Sequence, residues 1–166
     1  PAIAEALVQG QVALTVVQWS GQGKQAVTIP WRRMTSFAEV RAFGDAARGM
    51  ERAFVMSDTA VGDLIRFAGG LFAGVPDCRR KVIDISGDGT DNAGTAPEAA
   101  RAAAERAGIQ INGLAIESAG QGRPITNFFR LRVVTGDGFV MTSRGHRSYA
   151  ETLREKIKRE VSQVMF

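Results

Sequence analysis

The sequence predicts an α/β fold: a three-layer, doubly wound and mostly parallel sheet with one antiparallel edge strand. Short apolar, β-branched runs alternate with longer segments of helical periodicity, the pattern of strands joined by crossover helices. The run at residues 82–85 ends abruptly in a turn rich in glycine and carboxylates, as is typical beyond the end of a buried parallel strand. A length of 166 residues with 45% hydrophobic and 23% charged residues suits one globular domain.

Taken in order, the first segment predicts the last turns of a helix. Residues 1–10 place Ile3 and Leu7 at helical spacing and close on Gly10. Because the chain opens within a helix and without an initiator Met, we expect further residues upstream. Residues 11–19 are almost continuously apolar and predict a strand.

A hairpin and a helix follow. Residues 20–24 predict the hairpin loop, and residues 25–29 predict the antiparallel edge strand, which Pro30 is expected to end. Ser36 with Glu39 three positions later predicts a capping box at the start of a helix. The residues expected to face inward from this helix are Phe37, Val40, Phe43 and Ala47.

Two further helices flank the run at 82–85. The first is expected to begin at residues 57–59, and Thr95 with Glu98 predicts a capping box for the second, which ends before Gly108. The buried stripe expected in the first of them consists of Val61, Leu64, Ile65, Ala68 and Phe72.

The last third of the chain continues the alternation. Residues 109–116 predict a strand, 121–133 a short helix, 138–141 a short strand and 148–164 a final helix. The stripe expected in the final helix is Tyr149, Leu153, Ile157, Val161 and Val164.

The net charge of +4 and the isoelectric point near 9.8 are mildly basic. The bases that gather near the C-terminus are expected to form a solvated helix face: Arg144, Arg147, Arg154, Lys156, Lys158 and Arg159. No stacking aromatics accompany them, so nucleic-acid binding is not expected. No apolar run is long enough for a membrane span. The single cysteine, Cys78, excludes an intrachain disulfide and is expected to be a small apolar filler, with a disulfide to an upstream cysteine left open.

With these residues in view, the sequence resembles a von Willebrand factor A-like domain of Rossmann type. It resembles more closely a bacterial family of usually exported proteins of unknown function with that fold. The matching segments cover nearly the whole chain: 12–21 (VALTVVQWSG), 28–31 (TIPW), 59–68 (TAVGDLIRFA), 78–92 (CRRKVIDISGDGTDN), 108–116 (GIQINGLAI) and 155–160 (EKIKRE). The resemblance implies a protein-interaction domain rather than an enzyme, in the periplasm or outside the cell.

Domains of this type carry a metal-ion-dependent adhesion site with three parts. An Asp-x-Ser-x-Ser turn follows the first strand, a Thr comes from a later loop and an Asp follows the fourth strand. By resemblance the Thr corresponds to Thr59 and the Asp to Asp88. The Asp-x-Ser-x-Ser turn has no counterpart and is expected upstream of Pro1. The family's first strand would come with it, between the strands that match 11–19 and 80–86.

The resemblance implies that this site holds Mg²⁺, or Mn²⁺ or Ca²⁺, which takes a carboxylate of a partner protein as an outer ligand. Hard divalent cations prefer oxygen ligands and keep several waters, as converging hydroxyls and carboxylates allow. Asp58 stands where relatives generally have Gly. The residues considered for indirect or water-mediated contact are Asp58, Ser86, Asp84 and Asn92, although Asp84 lies within a strand and is otherwise a satisfied buried acid.

Several alternative readings remain open. Thr59 or Asp58 can simply cap the following helix, and Asp88 can simply stabilise its own turn. The metal site can also be vestigial, which would leave a structural or interaction domain.

An enzyme is the remaining alternative. Residues 86–90 (SGDGT) resemble the Gly-Gly-Asp-Gly-Thr phosphate loop of lipid and NAD kinases, with Ser86 in place of the first glycine. A hydrolase would need His146, the only histidine, which is read as a surface residue. Trp19 and Trp31 are expected to pack under the hairpin loop.

Overall fold

The strands of the computed structural model, which describes residues 2–55, 58–120 and 122–163, form two hydrogen-bonded groups. The strands are β1 (Ala13–Trp19), β2 (Gln25–Arg33), β3 (Lys81–Gly87), β4 (Ile109–Glu117) and β5 (Val140–Arg144). The helices are α1 (Ala2–Gln9), α2 (Phe37–Arg48), α3 (Val61–Leu71), α4 (Pro97–Arg106), α5 (Pro124–Phe128) and α6 (Tyr149–Ser162). The predicted α/β class is confirmed. No helix in the described ranges is both long enough and apolar enough to cross a membrane.

A parallel sheet in the order β3-β4-β5 forms the centre of the fold. Its strands are rich in Val and Ile, which suit a sheet covered on both faces. On one face Ile83 and Ile85 pack with Ile65 of α3 and Ala104 of α4 around the fully buried Phe129. On the other face α6 covers the sheet, and a second apolar cluster joins α6 to α1 and α2. This gives the predicted three layers.

The antiparallel pair is longer than predicted, because Pro30 does not end β2. The register passes from Val16 opposite Ile29 to Leu14 opposite Arg32, so two residues of β2 face one residue of β1. Pro30 therefore lies at a bulge, where its missing N–H is tolerated. Beyond the bulge β2 continues to Arg33.

The carboxyl ends of β1 and β3 lie side by side. A Cβ placed on Gly87 would lie 3.6 Å from the ring of Trp19. In the ranges that the structure describes, no backbone hydrogen bond joins the two strands, and each is the edge strand of its own sheet. Their carboxyl ends together form the margin on which the candidate site lies.

The helix predictions need several corrections. Ser36 caps α2 as predicted and accepts a hydrogen bond of 3.2 Å from the backbone N–H of Glu39. Phe37, predicted to face inward, is 54% exposed, because it is the first residue of the helix and lies outside the cluster that buries the later turns. The capping box at Thr95 and Glu98 is wrong, because Pro97 begins α4 and its preceding residue makes no side-chain cap.

The C-terminal segments also differ in detail. α5 continues as a π-helical turn at Phe129–Val133, and a 3-10 turn at His146–Ser148 precedes α6. The last strand begins at Val140 rather than at residue 138. Gln121 and Val164, predicted as helix ends, and Ser57, predicted at a helix start, lie outside the described residues.

Lys156 corrects the prediction of a solvated basic face on the last helix. Its side chain is completely buried, hydrogen-bonded to the carboxylate of Asp84 and, at 2.7 Å, to that of Glu160. The amide of Asn112 donates to the same Glu160 carboxylate at 2.7 Å. A buried ammonium group is tolerated here because carboxylates surround it.

Trp31 likewise does not pack under the hairpin loop. Its indole N–H donates to the carbonyl of Leu71 at 3.0 Å, and its ring lies 5.8 Å from that of Phe72. Trp31 therefore packs against the end of α3. Cys78 is a free thiol at the margin of the main core, as a small apolar filler would be.

Candidate functional site

The candidate site is a polar pocket of about 410 Å³ at the carboxyl ends of β1 and β3, beside the loop that enters α3. The lining residues that matter here are Trp19, Ser20, Asp58, Thr59, Ser86 and Asp88. Four of the six residues considered from the sequence therefore meet at one place. Asn92 contacts Thr59, and Asp84 does not line the pocket.

Thr59 is held by Asn92 through two hydrogen bonds. The Thr59 N–H donates to the Asn92 side-chain oxygen at 2.7 Å, and the Asn92 N–H donates to the Thr59 carbonyl at 2.9 Å. A Cβ placed on Gly89 would lie 3.3 Å from the Thr59 hydroxyl oxygen, so a glycine lets the turn after β3 approach the threonine closely. Asn92 thus acts on the pocket through the position of Thr59.

Thr59 is also tied to the β1–β2 hairpin through its two neighbours in the chain. The N–H of Ala60 donates to the carbonyl of Ser20 at 3.0 Å. The Ser20 hydroxyl donates to the carbonyl of Asp58 at 3.2 Å. The backbone of the loop is therefore fixed between β1 and the turn after β3.

The alternative that Thr59 or Asp58 caps α3 is wrong. The N-cap residue is Ala60, which makes no side-chain cap bond. The carboxylate of Asp91 accepts instead from the N–H of Val61 at 2.8 Å. Burial raises the pKa of Asp91, while its hydrogen bonds from the α3 backbone oppose that rise. Because Asp91 supplies the cap, the Thr59 hydroxyl is not needed for it.

Asp88 carries an exposed carboxylate at the rim of the pocket. Its side chain is 68% exposed, and His146 Nε2 lies 3.8 Å from one carboxylate oxygen. Among the described residues, no hydrogen bond ties this carboxylate to the backbone of its own turn, contrary to the alternative reading. The sequence analysis correctly placed His146 on the surface but did not associate it with this pocket. Its position just beyond the carboxyl end of β5 was the available signal, and it is the same argument that selected Asp88.

Asp84 does not belong to this pocket. It does not line the pocket but is hydrogen-bonded to Lys156 of α6, on the face of β3 opposite to Ile83 and Ile85. Burial raises the pKa of Asp84 to about 6, an effect that the nearby Lys156 opposes and the carboxylate of Glu160 reinforces. Asp84 therefore fits the other interpretation given from the sequence, that of a buried acid whose charge is satisfied by a partner.

The oxygen donors of the pocket are of the type that a hard divalent cation prefers, but their number is small. Thr59 offers a hydroxyl and Asp88 a carboxylate, which are the oxygen ligands that such cations prefer, with waters completing the shell. In the part of the chain that the structure describes, no three His, Cys, Asp or Glu residues converge closely enough to hold a metal. A cation here would be bound by the Thr59 hydroxyl and the Asp88 carboxylate, and waters or ligands from another molecule would complete its shell.

Solved structures identify this three-layer α/β domain as having a von Willebrand A-type fold. Proximal thread matrix protein 1 from the mussel byssus is 19% identical with a TM-score of 0.67 over 93% of this chain and 39% of that one. The von Willebrand factor type A protein from Catenulispora acidiphila is 18% identical with a TM-score of 0.61 over 99% and 37%. The von Willebrand A domain of SpRpn10 is 9% identical with a TM-score of 0.60 over 93% and 80%.

The chain belongs to the family described as "Protein of unknown function (DUF1194)", whose model matches residues 1–165. No curated protein matches it in sequence. The chain spans 39% of the mussel protein and 37% of the Catenulispora protein in these comparisons. A further structure of the mussel protein has a zinc-occupied metal-ion-dependent adhesion site (MIDAS) motif. It is 17% identical with a TM-score of 0.60 over 90% of this chain and 35% of that one.

Proposed function

We propose that this domain binds a partner protein through a divalent cation held at the pocket by Thr59 and Asp88. The single observation that carries the proposal is that these two oxygen donors, from separate loops, line the same pocket at the carboxyl ends of β1 and β3. The cation would keep an open position for a carboxylate of the partner. Ser86 and Asp58, which line the pocket, would contact the waters around it.

The construction of the Thr59 loop supports this proposal. Hydrogen bonds to Asn92 and to Ser20 fix the backbone on both sides of Thr59. A preorganised donor loses little freedom when a ligand binds, and that raises affinity. Asp91 supplies the helix cap, so the Thr59 hydroxyl is available for a ligand.

The zinc-occupied motif in the mussel structure supports a divalent cation in general. The oxygen donors of Thr59 and Asp88 favour Mg²⁺, Mn²⁺ or Ca²⁺. A binding role rather than catalysis, and a place in the periplasm or outside the cell, follow by resemblance and belong to the same proposal.

A vestigial site is the second candidate. It is favoured by the lack of three converging His, Cys, Asp or Glu residues in the described ranges. By resemblance, Asp58 also stands where such domains generally have Gly. A nucleotide-using enzyme is less favoured. The side chains of Asp91 and Asn92, which follow the SGDGT turn, are committed to the backbone at the start of α3.

The test is a calorimetric titration of Mg²⁺ and Mn²⁺ into the wild type, Asp88→Ala and Asp45→Ala. Asp45 is the matched control, because its side chain is 67% exposed, close to the 68% of Asp88, and lies away from the pocket. We expect Asp88→Ala to weaken binding by about tenfold or more, as loss of a metal contact does, and Asp45→Ala to bind as the wild type does. Equal binding by the Asp88 variant, or no binding by the wild type at millimolar metal, would favour the vestigial site.

A further inference from the structure

His146 is brought to the rim of the pocket by a defined turn. β5 ends at Arg144, and Gly145 then reverses the chain with φ of 74°, a left-handed conformation that suits glycine. The N–H of Gly145 donates to the carbonyl of Glu117 at 2.8 Å, which ties this turn to the end of β4. The hydroxyl of Ser148 donates to the carbonyl of Arg144 at 3.0 Å and closes the turn around His146.

The separation of His146 and Asp88 is compatible with two ligands of one ion. Nε2 and the nearer carboxylate oxygen are 3.8 Å apart, which is too far for a hydrogen bond. Zinc binds nitrogen and oxygen ligands at about 2.0–2.2 Å, so two such ligands lie about 3.4 Å apart at a tetrahedral angle and about 4.2 Å apart in line. The observed distance falls between these limits, and an ion can occupy the space between the two groups.

Both groups are also free to take up an ion. The His146 and Asp88 side chains are 77% and 68% exposed, so neither has been removed from solvent by a protein partner. An ion pair between side chains this exposed contributes little to stability. The His146–Asp88 pair is therefore expected to contribute little to the stability of the fold.

We propose that His146 supplies its imidazole Nε2 to the metal held by Asp88 and thereby makes the site prefer Zn²⁺ or a similar ion over Mg²⁺. The inference rests on the proposed function and specifies its metal. Imidazole suits Zn²⁺, Ni²⁺ and Cu²⁺, whereas Mg²⁺ prefers carboxylate, carbonyl and water oxygens. With His146 added, the site offers an imidazole nitrogen beside the Asp88 carboxylate, a pair better matched to Zn²⁺ than oxygen donors alone.

The experiment compares Zn²⁺ and Mg²⁺ binding by the tag-free wild type, His146→Gln, Arg147→Gln and Asp88→Ala. Zn²⁺ is measured by competition with a chromogenic indicator and Mg²⁺ by calorimetry. Arg147 is the matched control, because it is the exposed basic neighbour of His146. Since the chain has one histidine, its imidazole resonances in an NMR spectrum need no further assignment.

We expect His146→Gln to weaken Zn²⁺ binding by about tenfold or more and to leave Mg²⁺ binding unchanged. Arg147→Gln should change neither. The imidazole resonances should shift in proportion to added Zn²⁺ up to one equivalent, and Mg²⁺ should leave them in place. This shift should disappear in Asp88→Ala.

Two results overturn the inference in distinguishable ways. If Mg²⁺ binding depends on Asp88 but His146→Gln binds Zn²⁺ as the wild type does, or Zn²⁺ leaves the imidazole resonances unmoved, His146 is not a ligand and the proposed function stands. If the wild type binds neither ion, or Asp88→Ala binds both normally, the proposed function fails and the inference fails with it.

Discussion

The ammonium group of Lys156 on α6 lies against the carboxylate of Asp84 on β3, 72 residues away in the sequence. None of the Lys156 side chain is exposed, and Glu160, one helical turn further on, accepts a second hydrogen bond at 2.7 Å. One buried cation therefore joins the last helix to the central sheet. Two of the following predictions test this contact.

The stability of the fold should depend on pH through Asp84. Its pKa is raised from the ordinary 3.8 to about 6, so between these values the folded protein binds more protons than the unfolded chain. The contribution of Asp84 is therefore present at low pH and is lost as the pH rises through about 6. Since 30% of the side chain is exposed, water screens part of this effect.

The measurement is the free energy of unfolding by urea from pH 4 to pH 8. We expect the difference between the wild type and Asp84→Asn to change in favour of the wild type as the pH falls from 7 to 5. A difference that stays constant over this range would show that Asp84 titrates as it does in the unfolded chain.

Replacement of Lys156 by Met should destabilise the protein by about 3 kcal/mol, the lower end of the range for breaking a buried ion pair. The lower end applies because the Asp84 side chain is 30% exposed and can regain some solvation. Lys158→Met is the control. The Lys158 side chain is 51% exposed and its pair with Glu155 lies on the surface, so we expect a change within about 0.5 kcal/mol. Chemical denaturation measures both, and equal effects would contradict the role assigned to Lys156.

Asn92→Ala should weaken metal binding at the pocket without removing a ligand. The variant loses the acceptor for the Thr59 N–H, and this costs about 1 kcal/mol of stability at an exposed site. We expect a several-fold rise in the dissociation constant of Mg²⁺. Asn127→Ala, at an exposed position of α5, is the control and should bind as the wild type does. Calorimetry decides, and unchanged metal binding in Asn92→Ala would mean that the position of Thr59 does not depend on this contact.

Two glycines of α3 should respond to alanine in opposite ways. A Cβ on Gly62 would lie 2.0 Å from the backbone oxygen of Thr95, so the loop after β3 would have to move. Gly62→Ala should therefore cost about 1–3 kcal/mol or more. Gly70 has no neighbour within 4 Å of such a Cβ, and Gly70→Ala should stabilise the helix by up to about 1 kcal/mol. Thermal unfolding of both variants measures the contrast, and a neutral Gly62→Ala would contradict this close packing.

The sequence by itself determined the alternation of strands and helices and the end of the sheet where polar loops gather. Those features depend on the local pattern of apolar residues and on the directions that backbone periodicity gives to side chains. Asp88 could be selected in this way, because residues just beyond the carboxyl ends of parallel strands meet at one edge, whereas Thr59 was selected only by resemblance to the family. The cap at Ser36 is local as well and was predicted correctly.

Only the tertiary structure decided which distant groups pair. The burial of Lys156 depends on Asp84, a strand residue far away in the chain, and charge alone predicted a solvated face. Asp91 rather than Thr59 caps α3 because the turn after β3 folds back onto that helix. His146 reaches Asp88 because only one strand, β4, lies between β3 and β5 in the sheet. Such contacts are fixed by the packing of whole elements, which sequence periodicity does not specify.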